Sequence, residues 1–111
     1  MIEGGGCVIA RDVLWARTRR ERAQGLLNLP PLEKGQALVL EPARQVHTFG
    51  LAYAIDVVFC DADWVITHLV RSLPPRRVTR PVVRSRRAIE LPAGAVPLHV
   101  QRGTRLFLRQ Q

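Results

Sequence analysis

The sequence predicts a small, mainly β domain of sandwich or barrel type, carrying one short helix near residues 19–28. Three observations predict it. Pro and Gly punctuate the chain at intervals that suit short strands. Apolar residues recur in brief runs or in alternation, as strands require. Only one segment, opening at Thr18, has the chemistry of a helix start. With 111 residues, 47% of them hydrophobic, the chain suffices for one core and is too apolar for a disordered tail. No internal repeat or low-complexity tract divides it, so a single domain is expected over 1–111.

Gly4-Gly5-Gly6 marks residues 1–6 as a flexible N-terminus. Cys7 to Ala16 then reads as one or two strands, with Val13 and Trp15 alternating against polar or smaller neighbours. Thr18-Arg19-Arg20-Glu21 is a capping box: the threonine hydroxyl accepts from an exposed helix amide, and the glutamate reaches back to the threonine amide. Ala23, Leu26 and Leu27 give the helix an apolar face, Gly25 weakens it, and Pro30-Pro31 bars its continuation, which places its end near Asn28. Ala37-Leu38-Val39-Leu40 is a short continuous apolar run, the pattern of a strand buried on both sides. Val46 to Phe49 and Ile55 to Cys60 are β-prone, and in the second Ile55, Val57 and Phe59 share one face while Asp56 lies on the other, near the strand start.

Asp61-Ala62-Asp63-Trp64 is a hairpin connection into Val65 to Leu73, since aspartates bond their own backbone in turns. Trp64 at its tip is expected in the open, and Trp15, in an apolar strand, buried. Pro74-Pro75 ends the strand, residues 74–87 form an Arg/Pro-rich loop, and Ala88 to Leu91 and Arg105 to Leu108 are the last strands. Seven or eight strands result, enough for a sandwich or barrel.

Three of these stretches carry a resemblance. Val46-His47-Thr48-Phe49, Ile55 to Asp61 and Glu90-Leu91-Pro92-Ala93-Gly94 resemble, in order and spacing, the domain of unknown function family number 192. Glu21 to Leu27 is similar to that family's early "RA-x-GL" segment. The resemblance implies a compact β fold of sandwich or jelly-roll type, and no activity. The sequence departs from the family at Leu51 (usually Met), Ala54 (Pro), Arg76 (Trp nearby), Trp64 (Gly) and Gly103-Thr104 (a closing Gly-Asp). These departures fall in loops.

Charge is unevenly placed. The net is +8, and residues 64–111 hold ten arginines against Glu90 alone. Arg71, Arg76, Arg77, Arg80, Arg84, Arg86 and Arg87 follow one another with no acid between them. Such a segment attracts polyanions, nucleic acid among them, through paired guanidinium–phosphate contacts. A genome-wide preference for arginine codons gives the same excess, because arginine outnumbers lysine sixteen to one. No aromatics interleave the arginines, which disfavours base stacking.

Inside the family motif the one polar cluster is His47, Thr48 and, near in sequence, Asp56; with Phe49 they are the candidate ligand-binding residues. An aspartate orienting a histidine beside a hydroxyl is also the layout of general-base chemistry. The bland reading is that these groups satisfy backbone at strand ends. The histidines, His47, His68 and His99, are too scattered for a metal motif, and no phosphate loop, serine elbow or Cys-Xaa-Xaa-Cys pair occurs. No metal or cofactor is therefore expected, and familiar enzymes are disfavoured. Cys7 and Cys60, far apart and flanked by apolar residues, are expected as reduced core thiols, with a disulfide or a reactive thiol as alternatives. No apolar run spans a membrane and no signal segment opens the chain, so a cytoplasmic setting is expected. The leading reading is a noncatalytic ligand-binding or accessory module of unknown partner. Polyanion binding by the arginine segment and an enzyme using His47, Thr48 and Asp56 are the alternatives.

Overall fold

A computed structural model describes residues 1–110; Gln111, the last residue of the expected domain, lies outside the described residues. The backbone runs β1 (Ile2–Gly4), β2 (Cys7–Ala10), β3 (Asp12–Ala16), α1 (Arg19–Gln24), β4 (Gln36–Leu40), β5 (Ile55–Cys60), β6 (Ile66–Leu73), β7 (Arg87–Pro92) and β8 (Leu106–Leu108). Five strands form one sheet in the order β3-β4-β7-β5-β6, and β2-β1-β8 form a second. Neither sheet closes into a barrel among the described residues; the architecture is two sheets sharing a core. β3 and β4 run parallel and are joined through α1, whereas the other pairs of the large sheet are antiparallel.

The inner strands of the large sheet, β4, β7 and β5, are buried on both faces, which explains why β4 and β5 read as continuous apolar runs. Alternation divides their side chains between two cores. Val39, Val58, Ile89 and Leu91 meet Ile2, Ala10 and Leu106 of the small sheet. Leu38, Leu40, Val57, Phe59 and Ala88 point the other way, against Leu26, Val46 and Val82. Leu26 follows α1, and Val46 and Val82 come from the long connections between strands. The second core is thus roofed by a helix and irregular chain, and a roof of that kind leaves clefts.

The capping box forms as the sequence predicts. Glu21 N donates to Thr18 Oγ1 at 3.1 Å, and Glu21 Oε1 accepts from Thr18 N at 3.0 Å and Arg17 N at 3.1 Å. These backbone bonds, Thr18's first, hold the Glu21 carboxyl below its usual range. The helix is shorter than expected. It gives way at Gly25, whose φ of 51° few other residues adopt readily.

Two expectations are corrected. Residues 1–6 are not a flexible tail: β1 pairs with both β2 and β8, and Ile2 is fully buried. Trp64 is not exposed, nor Trp15 fully buried; both are half-buried and packed edge to face, with centroids 6.3 Å apart. The Arg87 guanidinium lies 4.1 Å over the Trp64 ring. Trp64 does take the positive φ of its turn, 63°.

Candidate functional site

The predicted cluster of His47, Thr48 and Asp56 does not converge, and no hydrogen bond joins any two of them among the described residues. Asp56 is fully buried in β5, where Oδ1 accepts from Ser72 N at 2.8 Å and Oδ2 from Val96 N at 3.1 Å. It ties β5 to the bulged end of β6 and to the turn after β7, where the register irregularity between Ile55 and Val57 leaves the Ser72 amide to be satisfied. Thr48 is also buried. Its hydroxyl donates to Pro74 O at 2.6 Å and accepts from Arg77 N at 2.9 Å. With the isolated bridge between His47 and Val78, this pins residues 46–49 to the arginine-rich loop. The strand expected over Val46 to Phe49 is reduced to that bridge. His47 and Phe49 stand outward beside each other, ring centroids 6.0 Å apart, and both are exposed. The hydrogen bonds that an acid–base triad needs are not formed among these residues; Thr48 and Asp56 spend theirs on backbone.

His47 and Phe49 instead border a narrow cavity of about 30 Å³ under the C-terminal end of α1. Its other walls come from Arg22, Gly25, Leu51 and Glu90. Glu90 is the residue that sequence reasoning passed over. It sits in β7 on the same face as Ala88 and so points toward the helix, only 3% exposed. Its Oε1 has no hydrogen-bond partner, and Gly25 passes so close that an added Cβ would lie 3.2 Å from that oxygen. Burial without a counter-charge pushes its carboxyl up to about 8. Glu90 is therefore a neutral carboxylic acid at pH 7, able to donate as well as accept. Two further buried polar atoms are unpartnered, Arg22 Nε in the same wall and Tyr53 Oη, whose ionisation is opposed by burial and then by Glu90's charge. Two of these three unpartnered atoms, Glu90 Oε1 and Arg22 Nε, border the same cavity.

The seven arginines do not form one surface. Arg71 is a structural residue, its guanidinium donating to Val96 O, Pro97 O and Val100 O at 2.6, 3.0 and 2.6 Å. Arg87 pairs with Glu41 and donates to Asp61 O and Ala62 O, each at 3.1 Å. Arg87 foremost, with Arg17, holds the Glu41 carboxyl below its usual range. Arg76, Arg77, Arg80, Arg84 and Arg86 remain at the surface, as the sequence suggests. Residues 74–86 are irregular as expected, but Thr79, Val82 and Ser85 anchor them inward.

Both cysteines are free. Cys60 lies in the core, where burial pushes its thiol up to about 12, leaving it inert. Cys7 Sγ is 4.0 Å from His99 Nε2, but that nitrogen is bonded to Gly5 O at 2.8 Å. A carbonyl accepts only, so this nitrogen carries the proton and cannot take one from the thiol. No cluster of potential metal ligands occurs among the described residues, and no helix there is long and apolar enough to cross a membrane.

Comparison with known proteins agrees with this frame. No curated protein matches the chain. A crystal structure of a protein of unknown function from Novosphingobium aromaticivorans superposes with a TM-score of 0.79 at 17% identity, over 96% of this chain and 83% of that one. A candidate transcription regulator from Sinorhizobium meliloti superposes with a TM-score of 0.71 at 25% identity, over 86% of this chain and 79% of the other. The model of the family DUF192, described as an uncharacterized ACR, matches residues 2–108, nearly the whole chain. The chain belongs to the DUF192 family.

Proposed function

We propose that this domain is a noncatalytic small-molecule-binding module whose site is the cleft between α1 and the helix-facing side of the large sheet. The observation that carries the reading is Glu90: a buried carboxyl with an unpartnered oxygen, opening on a cavity where three of the segments bearing the family resemblance meet. Gly25 and Leu26 come from the Glu21 to Leu27 segment, His47 and Phe49 from Val46 to Phe49, and Glu90 opens Glu90 to Gly94; the Ile55 to Asp61 segment does not line the cavity. A ligand group that donates to Glu90 and accepts from Arg22 Nε satisfies two unpartnered buried atoms at once. His47 and Phe49 are the contact residues at the mouth; Thr48, between them, fixes their segment through its bonds to Pro74 O and Arg77 N. A cytoplasmic setting belongs to the same proposal, and the two free thiols favour it.

Native mass spectrometry of the protein purified from its own cells tests the reading. A low-mass adduct is expected, released on gentle activation and lost in Ala23→Trp, which fills the cleft from an exposed helix position without touching the core. An adduct retained by that variant, or no adduct and no small molecule that raises the melting temperature, contradicts it.

A further inference from the structure

Beside the Glu90 cavity, and sharing Arg22, Ala23 and His47 with it, runs an open groove of about 640 Å³. We propose that this groove holds the phosphate group of a small molecule; the assignment rests on the cleft reading above and adds the chemical class of the ligand.

One wall is α1, from which Arg19 and Arg22, three residues apart, project on neighbouring positions. The opposite wall is built from two loop segments bolted together: Ala43 N donates to Arg86 O at 3.1 Å, Val82 N to Arg44 O at 2.8 Å, and Ser85 Oγ to Ala43 O at 2.8 Å. Arg44 and Arg86 therefore stand on a fixed frame although they come from distant parts of the chain. Leu40, Pro42 and Ala43 give the groove an apolar lining. The volume lies within the roughly 300–1,000 Å³ of small-molecule sites.

The charge is unbalanced. Arg19, Arg44 and Arg86 take part in no ion pair or side-chain hydrogen bond among the described residues, and Arg22 spends Nη1 on Pro42 O at 3.2 Å, a neutral acceptor. The carboxylate of Glu41, the residue after β4, is committed to Arg17 and Arg87. Glu90 lines the adjoining cavity and not the groove itself. Four guanidinium groups around one concavity repel one another until an anion enters. A phosphate presents several oxygens to separate arginine forks at once, whereas a carboxylate presents two.

The test is an amide-NMR titration of the whole chain at constant ionic strength with three probes: phenyl phosphate, inorganic phosphate and benzyl alcohol. Saturable shifts at Ala23, Ala43, Arg44 and Arg86 are expected from both phosphates and not from benzyl alcohol. Tighter binding of phenyl phosphate assigns an organic ester; equal affinity assigns the free anion, and either supports the site. Arg44→Gln with Arg86→Gln is expected to weaken phenyl phosphate at least tenfold with an unchanged melting temperature, whereas Arg76→Gln with Arg77→Gln stays within twofold. Affinity indifferent to the first pair, no saturable shift from either phosphate, or a duplex oligonucleotide binding these amides more tightly than phenyl phosphate overturns the assignment. Benzyl alcohol alone shifting the Gly25 and His47 amides overturns the phosphate and leaves the cleft reading standing. Silence from all three probes, together with a native protein free of adducts, removes both.

Discussion

Replacing Glu90 by Gln converts the strongest electrostatic peculiarity of the domain into a measurement. The glutamate ionises near 4.5 in the unfolded chain and near 8 in the folded one. Below pH 4.5 both states hold the proton, and stability is at its full value. As pH rises from 4.5 to 8 the unfolded chain releases the proton while the folded chain keeps it, so stability falls at about 1.4 kcal/mol per pH unit. The loss reaches about 3 kcal/mol at pH 7 and levels off near 5 kcal/mol above pH 8, large against a total of roughly 5–15 kcal/mol for a small domain. Glu90→Gln keeps the shape and a donor–acceptor pair but cannot ionise. Urea denaturation at pH 5, 7 and 9 is therefore expected to show the variant gaining little at pH 5, about 3 kcal/mol at pH 7 and more at pH 9, at unchanged m-value. Equal stabilities of the two proteins at all three pH values refute the reasoning, and mean that Glu90 finds a partner or water in solution.

Thr18→Ala removes the cap of α1 and is expected to lower stability by about 1 kcal/mol, read from the denaturation midpoint. Arg71→Met strands three carbonyls at once and is expected to cost about 2–3 kcal/mol, whereas Arg77→Met, whose guanidinium reaches only its neighbour's carbonyl, stays within about 0.5 kcal/mol. Trp64→Ala loses the contacts with Trp15 and Arg87 and keeps the positive φ, so it is expected to be less stable than the wild type by about 1–2 kcal/mol. Trp64→Gly recovers part of that loss, because glycine accepts the turn conformation freely. A glycine variant no more stable than the alanine one contradicts this account of the turn.

Much of the fold is legible in the sequence because its signals are local. Apolar runs bounded by Gly or Pro locate β4 to β7, and a four-residue capping box locates α1. What escapes is non-local. Nothing around Ile2 announces that it pairs with Leu108 at the far end of the chain, so the glycines that follow it read as slack. Trp64 is correctly placed in a strained turn, but its neighbours Trp15 and Arg87 are unknowable from the turn itself. The site divides in the same way. His47 and Phe49 are found through the motif they occupy, while Asp56 and Thr48 satisfy backbone, as buried polar groups do. The acid-free arginine segment looked uniform because a sequence displays charges and not their partners; Arg87's partner Glu41 lies 46 residues away. Glu90 carried a visible signal, one acid inside the apolar run Ala88 to Leu91 at a position in phase with the buried Ala88. Its membership of the family-like segment and its charge are both plain in the sequence, but a lone carboxylate in a strand buried on both faces also raises the question of what meets it.

The most direct test of the cleft as a binding site is an amide-correlation NMR spectrum of the uniformly labelled protein, before and after addition of the low-molecular-weight fraction extracted from its own cells. Shifts clustered at Gly25, Leu26, His47, Phe49 and Glu90 are expected, absent in Ala23→Trp. An unperturbed spectrum, or shifts confined to the surface arginines Arg76, Arg77, Arg80 and Arg84, contradicts it.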